Sequence, residues 1–203
     1  MIKPTRCAAL VVALALTLSA CAQKEPAPQA AAEPGIPFRP TASIQELMLA
    51  QIDASADVLW ESVAIISSEK GTEERQPRTD EEWATVRAHA ITLIEAANLL
   101  MIPGRKVAQP GTVLQDSEVE GVLKAEQIQA LIDGDHAAFA SRALALHDAG
   151  VAALKAIDEK NVPALSEVGG VIDEACEHCH TKYWYPTAPA APSAVPAAAA
   201  EKS

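Results

Sequence analysis

Apolar residues recur at helical spacing in four long stretches of this chain, each bounded by recognisable start and stop signals. The first opens on the capping-box pattern Ser43-x-x-Glu46. Its stripe runs Ile44, Met48, Ile52, Leu59, Val63 and Ile66 and is expected to end near Gly71. The second opens on Thr79-x-x-Glu82, carries Trp83, Val86, Ala90, Leu93, Ala97 and Leu100, and stops at Pro103-Gly104. A loop with Pro110-Gly111 and Gly121 follows, with one short helix expected around 125–132. The third starts near Asp135 and shows Phe139, Ala143, Leu146, Gly150, Leu154 and Ile157. Asn161 can cap the fourth, with Pro163 tolerated in its first turn. That last stripe reads Leu165, Val168, Ile172, Cys176, Cys179 and Tyr183. No segment reads as a strand.

Four amphipathic helices with mostly short connections predict an all-α fold, an antiparallel four-helix bundle with a pocket built from facing side chains. Sparse aromatics and abundant alanine suit close helix packing. The expected organisation is an export signal over 1–20, an Ala/Pro-rich tether over 21–40, the bundle over 41–185 and a disordered Ala/Pro-rich tail over 186–203.

The chemistry concentrates in Cys176-Glu177-His178-Cys179-His180, a C-x-x-C-H motif with the spacing that attaches a c-type haem covalently. Two thiols must reach the two vinyl groups on one porphyrin edge, and positions i and i+3 of a helix share a face. His180 then offers the neutral imidazole nitrogen that haem iron commonly takes. Zinc fits less well, because four ligands within five residues cannot wrap one tetrahedral ion and no second C-x-x-C exists. A thioredoxin-like dithiol would sit beside a βαβ pattern, and none is present. A chance match is the remaining alternative.

The N-terminus reads as an export signal. Lys3 and Arg6 precede an apolar run from Cys7 to Leu18, too short to span a bilayer comfortably. It ends in Leu18-Ser19-Ala20-Cys21, which resembles a bacterial lipobox with Cys21 as the acyl acceptor. The alternative is ordinary cleavage with a cysteine nearby. Two or more acyl chains give stable anchoring, so the expected location is the periplasm, on the outer membrane in preference to the inner. The four cysteines are then all used: Cys7 leaves with the signal, Cys21 is lipidated, and Cys176 and Cys179 hold haem. A fully extended tether would reach roughly 60 Å from the membrane.

Charge narrows the partners. The precursor carries net −11, and loss of Lys3 and Arg6 makes the mature chain about −13. That argues against nucleic acid and against electrostatic membrane binding, and favours basic partners. Acidity that only keeps an exported protein soluble is the alternative.

Between about Ser43 and Trp184 the chain resembles the cytochrome c′ family. The resemblance rests on Ile44–Met48, Thr79–Trp83, Leu99–Arg105 and a C-x-x-C-H motif in the last turns of the last helix. It implies covalent haem c, with His180 as proximal iron ligand. In five-coordinate members an apolar side chain blocks the distal face, whereas in low-spin relatives a methionine of the first helix binds it. Met48 stands where those relatives place that ligand, and a thioether favours electron transfer by raising the potential. Met48 as ordinary core filler is the alternative. Met101 lies at a helix end, beside Pro103.

One departure bears on the choice. Family members often carry a basic residue four positions after the haem histidine; here that position is Trp184. The expectation is therefore a monohaem electron carrier and not an enzyme, since no distal His–Arg pair is evident. Its partners would be redox proteins the sequence does not identify and a membrane reached through the lipid, with a homodimer left open. Nitric oxide or carbon monoxide binding at five-coordinate iron is the alternative. His89, His136 and His147 read as solvated, His178 as pointing away from iron, and Arg105 as either a propionate partner or a solvated loop residue.

Because Cys21 is the acyl acceptor in this reading, Cys21→Ser should move the protein from the membrane fraction to the soluble periplasm. Unchanged membrane fractionation would rule the lipobox out.

Overall fold

The computed structural model describes residues 38–69 and 71–186; the export signal with Cys21, nearly all of the tether, and the tail from 187 onward lie outside the described residues. Within that range the regular structure is helical apart from one two-stranded hairpin, and residues 101–124 form a long irregular connection.

Helix α1, Ile44–Leu47, begins as its capping box predicts. The Glu46 amide donates to Ser43 Oγ at 3.2 Å, and the Ser43 amide donates to Glu46 Oε2 at 2.7 Å. Two further N-terminal amides, those of Ile44 and Gln45, donate to the carbonyls of Lys106 and Val107, which satisfies groups a bare helix start would leave open. The chain runs straight on into a π-helical turn, Met48–Ile52, in which the Asp53 amide donates to the Met48 carbonyl. It then continues as α2, Asp53–Ser62.

The first helical segment ends earlier than its stripe suggested. Val63 is extended, and Ala64–Ser68 (β1) pairs antiparallel with Gly71–Arg75 (β2), Ile66 facing Glu73. Val63 and Ile66 therefore do not belong to a helical face, and Ile65 and Ile66 are 75% and 38% exposed. Ile65-Ile66, with Val63 just before, is β-branched and stiff at χ1, which favours extended backbone. A short apolar run has no periodicity by which to tell strand from helix.

Helix α3, Asp80–Leu100, follows a second capping box in which Thr79 and Glu82 bond reciprocally at 3.1 and 3.0 Å. All six residues of its expected stripe are buried. Gly104, at φ +78°, turns the chain beyond it, a conformation glycine adopts without steric cost. The short helix is α4, Ala125–Gly134, and α5 runs His136–Asp158 from an Asp135 cap. Along α5 Ala153 takes the core position expected of Leu154, which is half-buried. Asn161 caps α6, Val162–Tyr183, with Pro163 in the first turn. α3 packs on α5, α5 on α6, α2 on α3, and α2 also touches α6.

Arg105 corrects an expectation. It is neither solvated nor free for a cofactor: at 5% exposure it donates from Nε to the Leu99 carbonyl at 2.9 Å and from Nη1 to the Ala42 carbonyl. It ties the end of α3 to the entry of α1.

Small residues set the α3–α5 distance. A Cβ on Gly150 would stand 2.8 Å from Ile94 Cγ1. Gly150→Ala should therefore cost about 1–3 kcal/mol of overpacking, offset by about 1 kcal/mol of helix propensity. Urea unfolding should show a net loss in the native background and none in Ile94→Ala. Equal effects in both backgrounds would contradict this packing.

Candidate functional site

Helix α6 presents its motif as the spacing requires. Cys176, Cys179 and His180 all line one cavity of about 220 Å³, whose wall is otherwise formed largely by Ile52, Ala56, Leu100, Ala143 and Leu146. Met48 lines the same cavity from the π-helical turn of the facing segment. A second cavity, about 240 Å³, lies beside it and is shared by Met48, Asp53 and His180, with Leu49, Leu114, Val122, Trp184 and Tyr185 around it. Met48 and His180 thus stand where the two spaces meet. Met101 lines neither.

The π-helical turn bears on where Met48 sits. An extra residue per turn shifts the phase of the stripe, so Ile44 and Ile52 are 1% exposed while Met48 between them is half-buried and borders open volume. Such turns recur at functional sites in general.

Burial governs the protonation of the motif. Cys176 and Cys179 are free thiols. Desolvation pushes Cys176 up to about 12, helped by the charges of Asp53 and Asp173, and Cys179 up to about 11, opposed by Arg142. Desolvation lowers the His180 imidazole, with Asp53 and Glu177 pulling the other way. His180 is thereby held neutral near pH 7, with a nitrogen lone pair free for a metal. Asp53 is raised by its own burial against the favourable charge of His180.

The end of α6 is fixed from several sides. The amides of Trp184 and Tyr185 donate to the His180 carbonyl at 2.7 and 3.0 Å, and the Leu123 amide donates to the Trp184 carbonyl at 2.7 Å. The ring centroids of Trp184 and Tyr185 lie 5.6 and 6.0 Å from that of His180. Tyr185 Oη donates to Glu177 Oε2 at 2.7 Å, and Arg142 Nη1 to the His178 carbonyl at 2.7 Å.

Sequence reasoning missed Asp53, Trp60, Arg142, Trp184 and Tyr185 as members of this site. Arg142 carried a signal, since it interrupts the turn between Phe139 and Leu146 beside the apolar stripe. Asp53 carried a weaker one, directly after Ile52. The aromatic pair lies just past the helix, where periodicity is silent.

Three of the four remaining histidines are less exposed than a solvated side chain would be. His178 is exposed, as its position implied, but His89, His136 and His147 are half-buried. His89 Nδ1 lies 3.4 Å from Ser55 Oγ and His147 Nδ1 lies 3.0 Å from Asp148 Oδ1. Among the described residues, His136 Nε2 is a buried side-chain atom without a hydrogen-bond partner. None of the three lines either cavity.

Among the described residues no three His, Cys, Asp or Glu side chains converge as they would around a bare metal ion. The donor set suits a group that brings its own ring of ligands and asks the protein for one imidazole and two thiols. Comparison with protein-family models, with curated proteins and with solved structures returns no match.

Burial of the thiols is measurable in the reduced chain without haem. At pH 8 a free cysteine of pKa about 8.5 is roughly a quarter thiolate, so Cys176 and Cys179 should alkylate with iodoacetamide at least about a hundredfold more slowly than in urea. The native rate should climb as pH rises toward 11. Equal rates in the two solvents would contradict the buried geometry.

Proposed function

We propose that this chain is a monohaem c-type cytochrome of the cytochrome c′ kind, an exported and lipid-anchored carrier of single electrons built on an antiparallel four-helix bundle. The observation that carries the reading is the convergence of Cys176, Cys179, His180 and Met48 on one mostly apolar cavity. Bound there, haem c would supply a one-electron Fe(III)/Fe(II) couple. Cys176 and Cys179 would hold it through thioethers, His180 would take the proximal side of the iron, and Met48 the distal side. The pairing of α2 with α3, α3 with α5, α5 with α6 and α6 with α2 supports the bundle.

The chain's own residues favour this chemistry over a dithiol redox site. Catalytic C-x-x-C pairs work through depressed thiol pKa values, whereas burial raises both thiols here. The mostly apolar wall lowers the local dielectric, which strengthens each fixed charge beside it. Asp53, Asp173 and Glu177 border the cavity and would favour the ferric state, while a thioether ligand raises the potential. Trp184 and Tyr185 restrict the His180 ring, and Arg142 secures the backbone just before it. No catalytic activity is proposed.

A five-coordinate, gas-binding cytochrome is the second reading. The second cavity, of about 240 Å³ beside Met48, favours it, since it offers a diatomic ligand room next to the iron site.

Met48→Leu separates the two. It conserves volume and apolarity, so stability should fall by less than about 1.5 kcal/mol. With Met48 as ligand, the oxidised protein should show the weak far-red band of methionine-ligated ferric haem. The substitution should abolish that band, lower the reduction potential and admit carbon monoxide. A native protein that binds carbon monoxide readily, with a spectrum unaltered in the variant, would give the site to gas binding.

A further inference from the structure

A third space lies on the outer side of Trp60. Between α2 and α6 runs a groove of about 370 Å³, floored by Leu59, Trp60 and Val63 on one side and by Gly169, Gly170 and Asp173 on the other. Trp60 and Asp173 also belong to the wall of the inner cavity that Cys176 and His180 line. One indole therefore separates the candidate haem cavity from the surface groove. Its Nε1 donates to the Gly169 carbonyl at 2.9 Å, which fixes the ring in that partition.

The two glycines of the groove have different physical reasons. A Cβ on Gly169 would press on Trp60 Cδ1 at 3.2 Å, so the indole would have to give way to any side chain there. A Cβ on Gly170 would meet nothing within 4 Å, and its φ is not in the left-handed region. Neither packing nor backbone asks for glycine at 170, and glycine weakens a helix interior. What its missing side chain provides is bare backbone at the groove floor, open to close approach.

Charge selects the visitor. Between Ile44 and Ser68, and again between Asn161 and Thr181, the chain has no Lys or Arg. Asp53, Asp57 and Glu61 repeat every four residues on α2, and Asp173 and Glu177 do so on α6; Asp53 and Glu177 border the inner cavity, Asp173 borders both spaces, and Asp57 and Glu61 border neither. Among the described residues none of these five enters an ion pair. Arg75 and Arg78 line a neighbouring surface pocket with Glu61, and Arg75 is bonded to Glu73. A second copy of this chain would set the same carboxylates against these.

We propose that this groove is the electron-exchange face, and that its partner is a one-electron redox protein presenting a lysine- or arginine-rich surface. The inference rests on the cytochrome reading above. With haem held by Cys176, Cys179 and His180, one electron would cross at Trp60 to or from the partner's redox centre; one protein would be oxidised as the other is reduced, and no bond or proton would move. An apolar centre with an indole, lined by Asp173 and with Asp57 and Glu61 close to Trp60 along α2, suits a weak, salt-sensitive encounter.

The test uses the full haem-loaded protein and, as probe, a small basic c-type cytochrome. The haem spectrum, recorded first, judges the cytochrome reading by itself. Binding of the zinc-substituted probe is then followed by amide NMR shifts, which need no electron transfer. The shifts should cluster at residues 53–63 and 166–173. Asp57→Lys with Glu61→Lys should slow stopped-flow electron exchange about tenfold or more at low salt, with the difference fading near molar salt. Glu95→Lys with Glu159→Lys, on α3 and just past α5, makes the same charge change and should shift the rate less than about twofold. Gly170→Leu should weaken binding with net charge and spectrum unchanged. Shifts centred elsewhere, or equal slowing by the two charge pairs, would overturn the proposal.

Discussion

The site depends on helix α6 keeping one face turned to the interior over its last three turns. Ile172, Ala175, Cys179 and Tyr183 are buried on that face, and Cys176 and His180 flank it along the cavity wall. An ordinary amphipathic helix would fill these positions with aliphatic side chains and pack them solid. Here the stripe continues in thiols and an imidazole, and open volume remains in front of them. Packing of α6 on α5 and α2 keeps that face inward, and Asn161 at one end and the Leu123–Trp184 hydrogen bond at the other fix its limits.

A second constraint is dielectric. Burial penalises every charged form in the site, which leaves His180 neutral, both thiols protonated and Asp53 shifted upward. Neutral imidazole is the form that ligates iron. If haem is attached as proposed, the protonated, shielded thiols mean that thioethers would form before the chain closes around them, since the thiolate is the nucleophile. Asp57 and Glu61 of α2, which line neither the inner cavity nor the groove, enter no ion pair among the described residues. Trp60 stands at the boundary of the inner cavity and the groove.

Much of this was legible in the sequence because capping chemistry is local. Ser43/Glu46, Thr79/Glu82 and Asn161 each start a helix where the side chains said it would, and the stripes of α3 and α6 are buried nearly as read. The hairpin was not legible, because Val63, Ile65 and Ile66 match a helical stripe and a strand equally well. The π-helical turn at Met48 was not legible either, since a one-residue phase shift barely disturbs apolar spacing. Arg105 illustrates a different limit. Its role lies in two carbonyls distant in sequence, Leu99 and Ala42, and only tertiary structure brings them together. Cys176, Cys179 and His180 were readable from spacing, whereas Trp60, Trp184 and Tyr185 join the cavities through packing that no period encodes.

Covalent haem on α6 is the claim from which the rest follows, and the mass of the exported, reduced protein under denaturing conditions tests it most directly. The account predicts a mass increased by one haem, a haem-stained band on a denaturing gel, and loss of both when Cys176 and Cys179 are replaced together by alanine. An exported chain with its unmodified mass and two titratable thiols, or a double variant that still retains haem in denaturant, would contradict it.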